Sequence, residues 1–181
     1  MDRRKQKTLR AIRNAFLALR SRMPLEKITV RELSDLAEIS KATFYLHYTD
    51  IYALSEQLQR EVIEEILRGV TRDEKLLTDI EQTSKALSES FCAYQAIIGV
   101  LFSGTQASDL PRLIEKGIRD CIYMAQPEKK TDAVFNVLLT YKIYGAYYAY
   151  ARNAAALGDE PVLRILDRIS DQLHGLEGQV L

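Results

Sequence analysis

Cysteine and histidine are almost missing from this chain, with two of each in 181 residues. Two cysteines, Cys92 and Cys121, are too few for a disulfide framework and too far apart for a zinc motif. Both fall in helical patterns and read as buried thiols. His47 and His174 lie far apart in the sequence, and no glycine-rich phosphate loop, metal-ligand cluster or nucleophile elbow accompanies them. Adjacent acids such as Glu64 and Glu65 point in different directions from a helix and read as solvated surface. The sequence therefore argues against an enzyme, and it asks for no metal and no cofactor.

Glycine (8) and proline (4) are scarce for this length, and strand-like alternation is hard to find. Helical spacing runs nearly everywhere, so an all-α fold of about nine helices is expected. No apolar run approaches the ~20 residues that cross a bilayer. The opening "MDRRKQKT" is charged and leads into an amphipathic helix, unlike a secretory signal. A cytoplasmic protein with no membrane partner is expected.

What is present is an uneven charge. Residues 1–50 carry 11 Lys and Arg against 6 Asp and Glu, a balance of +5, while the remainder carries 14 against 19, a balance of −5. That asymmetry reads as a basic working end on a more acidic body, or as chance.

The first helix is predicted over about 3–22, with Leu9, Ile12, Phe16 and Leu19 as its apolar stripe and Pro24 ending it. Thr29 and Glu32 form a T-x-x-E capping box that starts a short helix over about 30–37. After "EI", Ser40 caps a third helix over about 41–47, and Thr49 or Asp50 caps a long fourth one reaching about residue 69. Two short helices joined by a tight turn, preceded by a basic helix, make a helix-turn-helix arrangement. Phe44 is expected to face the small core with Ile39 and Leu33, leaving Tyr45, Leu46 and His47 outward. Ser40, Lys41 and Thr43 stand at the helix start, where free amides favour phosphate.

The stretch "ITVRELSDLAEISKATFYLHYTDIYAL", residues 28–54, resembles the DNA-binding domain of the TetR family of bacterial regulators. The likeness runs through I-T-V-x-x-L-x-x-x-A, the Ser-Lys-x-Thr-Phe-Tyr-x-His-aromatic core and the Asp-x-x-x-Leu ending, and it covers about the first 55 residues. It implies a helix-turn-helix DNA-binding domain over 1–50, joined through a long fourth helix to a ligand-binding and dimerisation domain over 51–181. It implies further that Arg31 reaches a base edge, where arginine suits guanine. Thr43, Tyr45 and His47 match phosphate-contacting positions, with Ser40 and Lys41 adding helix-terminal and charge contacts. Lys7 and the "RRK" arm either reach phosphates or a minor groove, or form a solvated tail. Leu46 either touches a thymine methyl or covers its own helix.

Three residues depart from the family pattern. Glu38 stands where many relatives have glycine in the turn, and a left-handed backbone there would cost roughly 1–2 kcal/mol. Ala42 also replaces a common glycine, so the backbone approaches DNA less closely. Ile51 replaces a lysine that often pairs with phosphate, so a shallower salt dependence is expected.

In the body, "DIEQTSKALSESFCAYQAIIGVLFSG" reads as one helix, or as two broken near Cys92–Tyr94. A further helix begins with Ser108 as cap and Pro111 in its first turn. Pro127 separates it from a helix of nearly thirty residues, and a last helix runs from Glu160 to about Gly175. Phe91, Tyr94, Phe102, Tyr123, Tyr141 and Tyr144, with Cys121 nearby in sequence, are candidates for lining a ligand pocket, although aromatic residues at helical spacing more often serve as core. Gly145, Ala146 and Ala149, with Val162, Ile165, Leu166, Ile169 and Leu173, make faces suited to a dimer interface or to the monomer's own core. The resemblance favours a homodimer reading a palindromic operator in double-stranded DNA. It also favours a repressor released when a small-molecule effector enters the body. The alternative is a ligand-independent, DNA-bound protein that recruits or answers to a protein partner, with a solidly packed body.

Overall fold

The computed structural model describes residues 3–71 and 80–174. Among these residues the regular structure consists of eight α-helices and three short 3₁₀ turns, with no strand. The helices are α1 (Arg3–Arg20), α2 (Val30–Leu36), α3 (Lys41–Tyr45), α4 (Ile51–Thr71), α5 (Ile80–Leu101), α6 (Asp109–Ala125), α7 (Ala133–Leu157) and α8 (Asp159–His174). None of the described helices is long and apolar enough to cross a membrane.

By contacts the chain divides into two compact units, Met1–Val62 with Gln95–Ala107, and Ile63–Tyr94 with Ser108–Leu181. Both α4 and α5 contribute to both units, where the sequence reading put each of them wholly in the second domain.

The first unit is built around α1, whose Ile12, Ala15 and Phe16 are buried at a helical spacing. Leu33 of α2, Phe44 of α3 and Leu54 and Leu58 of α4 complete this core. The capping box is present in both directions: Glu32 N donates to Thr29 Oγ1 at 3.2 Å, and Thr29 N donates to Glu32 Oε2 at 3.2 Å. Asp50 caps α4, its Oδ1 accepting from Ala53 N at 2.7 Å. The C-terminal end of α5 is held by two long side chains. Gln59 Nε2 donates to Leu101 O at 3.1 Å, and Arg20 Nη2 donates to Ser103 O at 2.9 Å. Leu101 O is a carbonyl that the helix end leaves without an intrahelical partner, while Ser103 O, two residues past the helix, also accepts from Gln106 N at 3.2 Å.

The second unit packs α7 against α6 on one side and α8 on the other. Ile114, Ile118 and Ile122 put one buried stripe along α6. Gly117 on the same helix is a close-approach position, because a Cβ there would stand 2.1 Å from Leu67 Cδ1. Asp132 caps α7 by accepting from Phe135 N at 2.9 Å. Gly158, with φ +85°, makes the turn between α7 and α8.

Several element boundaries differ from the sequence reading. α5 is one unbroken helix through Cys92–Tyr94, because no proline or glycine interrupts that stretch. Ser108 has helical dihedrals (φ −73°, ψ −14°) and makes no side-chain cap. The residues Pro127–Lys130 form a separate 3₁₀ turn, so α7 begins only at Ala133. α3 closes at Tyr45, two residues early. The expectation for Cys92 is corrected, since its thiol side chain is exposed, while Cys121 is half-buried. Gly175, the expected end of the last helix, lies outside the described residues.

Candidate nucleic-acid interface and internal cavity

The link between α2 and α3 sets the geometry of the first candidate site. Glu38 has φ +54°, the left-handed conformation that glycine adopts most easily. The hydrogen bonds around it are those of a Schellman motif. Ile39 N donates to Ser34 O at 3.0 Å, and Glu38 N donates to Asp35 O at 3.3 Å. The left-handed turn is therefore made here with a glutamate. Immediately afterwards Ser40 caps α3, its Oγ accepting from Thr43 N at 3.0 Å.

A single turn of helix then separates inside from outside. Phe44 is fully buried and Tyr48 nearly so, their rings 5.7 Å apart. Burial and the nearby Glu61 carboxylate push the Tyr48 hydroxyl above its ordinary pKa, so it stays neutral. Tyr45 and Leu46, by contrast, are 57% and 81% exposed. Arg31, Lys41 and Ala42 are exposed, while Thr43 and His47 are half-buried. Arg31 is tethered only by an open pairing, its Nε standing 3.9 Å from Asp35 Oδ2. Ser40 Oγ and Thr43 Oγ1 share a hydrogen bond at 2.8 Å, which holds both hydroxyls in place before any ligand arrives. Lys7 lies on the exposed, basic side of α1. Arg13 on that helix is committed elsewhere, its Nη1 pairing with Glu61 Oε2 at 3.0 Å.

Two exposed apolar side chains of this unit escaped the sequence reading. Leu36 at the end of α2 and Tyr52 in the first turn of α4 are each about half exposed.

The second unit holds a partly open cavity of about 310 Å³, walled by α5, α6, α7 and α8. Of the seven expected pocket residues, Phe91 and Tyr141 line it. Phe102 belongs to the core of the first unit and is buried there. Tyr94, Cys121, Tyr123 and Tyr144 fall outside the lining. For Tyr123 the reason is visible: its hydroxyl is bound to Asn136 Oδ1, within a network centred on Arg119. Arg119 Nη2 donates to Glu115 Oε1 and to Thr140 Oγ1, both at 2.8 Å, which ties α6 to α7.

The expected dimer residues share this cavity. Gly145, Ala146, Ala149, Leu166, Ile169 and Leu173 all line it. Val162 is buried, and Ile165 is exposed outside the lining. The small residues of α7, expected to admit a neighbouring helix, also leave the space that the cavity occupies. Phe91 and Tyr150 meet edge to face across the wall, with ring centroids 5.6 Å apart. Polar groups are few: Ser88, Lys142, Asp167, Ser170 and the tyrosine hydroxyls.

Lys142 was missed by the sequence reading, although a signal was there. It is the single charged residue between Asp132 and Arg152, in a stretch otherwise rich in alanine, tyrosine and aliphatic side chains. Among the described residues no cluster of three or more His, Cys, Asp or Glu is placed to hold a metal ion. In comparisons with known proteins, no family model, no curated protein and no solved structure matches the chain.

Proposed function

We propose that the chain is a sequence-specific regulator of transcription that binds double-stranded DNA, resembles the TetR family and acts as a homodimer. The observation that carries this reading is the α2–turn–α3 unit. A left-handed residue at Glu38 joins two short capped helices, with Phe44 buried beneath and Tyr45 and Leu46 exposed. Such a pair presents its second helix to a major groove. Arg31 serves as base reader, and Lys41, Thr43, Tyr45 and His47 serve as backbone contacts.

The cavity supports a small-molecule effector over the ligand-independent alternative, which calls for a solidly packed body. Its volume falls at the lower end of the range for ligand sites, and its lining is mostly apolar with a few polar groups. In this reading the effector binds one state of the dimer more tightly than the other, and that difference in affinity is the energy that releases the operator.

Selection of bound sequences from a random duplex library at near-physiological salt tests the reading. A palindrome with half-sites about one helical turn apart, or a multiple of it, is the expected product. Salt-sensitive binding without enrichment of any sequence would overturn it.

A further inference from the structure

A single exposed leucine is ordinary on a protein surface, so the case for Leu46 rests on where it stands. It directly follows α3 with helical dihedrals (φ −70°, ψ −18°), and its N donates to Ala42 O at 3.1 Å. Leu46 and Ala42 therefore lie one turn apart on the same side of the helix. Ala42 is exposed, and Leu46 at 81% is too exposed to be folded back over α3. Phe44, between them in sequence, fills the core instead. The surface proposed to enter a major groove thus carries an apolar step, Ala42 and Leu46, beside the exposed Lys41 and Tyr45.

Neither side chain of that step has a hydrogen-bond donor or acceptor, so neither can use the polar code of the base edges. Those edges carry one apolar group in the major groove, the 5-methyl of thymine. We infer that Leu46, with Ala42 beside it, recognises the 5-methyl group of a thymine, so that each operator half-site holds an A·T pair at a fixed place under α3. The inference rests on the DNA-binding reading above and gives the operator a chemical feature that a hydrogen-bonding reader such as Arg31 would not select.

Replacing thymine by uracil tests it, because the change removes the methyl group and leaves every hydrogen-bonding atom of the base pair in place. Each A·T pair of the selected operator is changed in turn, in both half-sites, and the full chain is titrated against each duplex by fluorescence anisotropy. At one position affinity should fall about ten- to twentyfold, the worth of one buried methyl group in each half-site. Leu46→Ala should cut that difference to about twofold or less, and an unchanged thermal melt should show that its fold is intact, as at other exposed positions. Leu46→Met, which keeps an apolar side chain of similar volume, should retain the thymine preference. A half-site without an A·T pair, uracil tolerated at every position, or a methyl dependence undiminished in Leu46→Ala would each overturn the inference while leaving sequence-specific binding in place. A library selection that recovers no sequence would instead overturn the DNA-binding reading, and this inference with it.

Discussion

Phe44 and Tyr45 are neighbours in sequence whose rings meet edge to face, centroids 5.6 Å apart and planes at 84°. One ring is fully buried and the other mostly exposed. Successive residues on a helix point about 100° apart, so a single short helix serves the core with one residue and the surface with the next. The stability of the first unit and the surface proposed to read DNA are thus separable by mutation within one turn.

Phe44→Ala should destabilise the first unit by about 3–5 kcal/mol, the usual cost of emptying a fully buried phenylalanine site. Tyr45→Ala should change stability by about 0.5 kcal/mol or less, as exposed positions do. It should nevertheless weaken DNA binding to a similar extent on every sequence, because phosphate contacts position without specifying. Urea unfolding and fluorescence anisotropy with matched and scrambled duplexes separate these outcomes. A Tyr45→Ala protein with unchanged affinity would remove Tyr45 from the interface.

Glu38→Gly should stabilise the first unit by about 1 kcal/mol. The left-handed backbone costs a residue with a Cβ roughly 1–2 kcal/mol, partly offset by the greater freedom of glycine in the unfolded chain. A thermal melt reads the result. A loss of stability instead would mean that the glutamate side chain contributes more than its backbone costs.

The head was legible in the sequence because its signals are local. Thr29 with Glu32, Ser40 with Thr43, and Asp50 each mark a helix start within three residues, and each cap is made as expected. The caps on either side place a turn at Glu38 but not its hand; the left-handed backbone was raised only by the family resemblance, in which glycine is common there. The body was less legible, because α7 is apolar on nearly every face and periodicity cannot choose among core, cavity and partner. Tyr123 looked like a pocket residue until the Arg119 network claimed its hydroxyl, an arrangement that depends on side chains 13 and 17 residues away in sequence. Phe102 was misplaced for a related reason. α5 is long enough to serve both units, and nothing in its spacing marks the change.

Arg31→Ala should relax preference at one base pair in each half-site, costing about 1–3 kcal/mol on the preferred sequence. Arg31 is exposed and its pairing with Asp35 is open, so its removal should leave the fold intact. Repeating the library selection with the variant checks this. An unchanged consensus would show that another side chain reads the base.

Acid should loosen the start of α7. The Asp132 carboxyl lies below the ordinary aspartate value of 3.8, held there by the Lys129 ammonium and then by the Phe135 amide. A depressed carboxylate contributes stability that is complete above its unfolded pKa and is lost as pH falls through the folded one. The loss should therefore start near the ordinary aspartate range and continue below it. Asp132→Asn keeps a capping oxygen but removes the charge, so its stability should decline less across that window. Urea midpoints of both proteins against pH give the comparison. Parallel curves would mean that the acid sensitivity arises elsewhere.

The outer side of α7 tests the proposed homodimer. Val137 and Tyr141, one turn apart, are 67% and 61% exposed, and Tyr148 continues their line two turns beyond Tyr141. Ile165 and Ile169 make a similar exposed pair on α8. Apolar side chains repeated in this way on adjacent helices cost solubility unless another surface covers them. Two copies related by a twofold axis would bury the same patch on each. Val137→Glu combined with Ile165→Glu should leave the monomer folded, because both positions are exposed and outside the cavity lining, yet place like charges across the proposed interface. Sedimentation should give a dimer for the parent chain and a monomer for the variant. DNA affinity should fall with it, since one short reading helix in place of two halves the contacts made to the operator. A parent chain that sediments as a monomer would refute the homodimer, whereas a variant that stays dimeric would move the interface off this face.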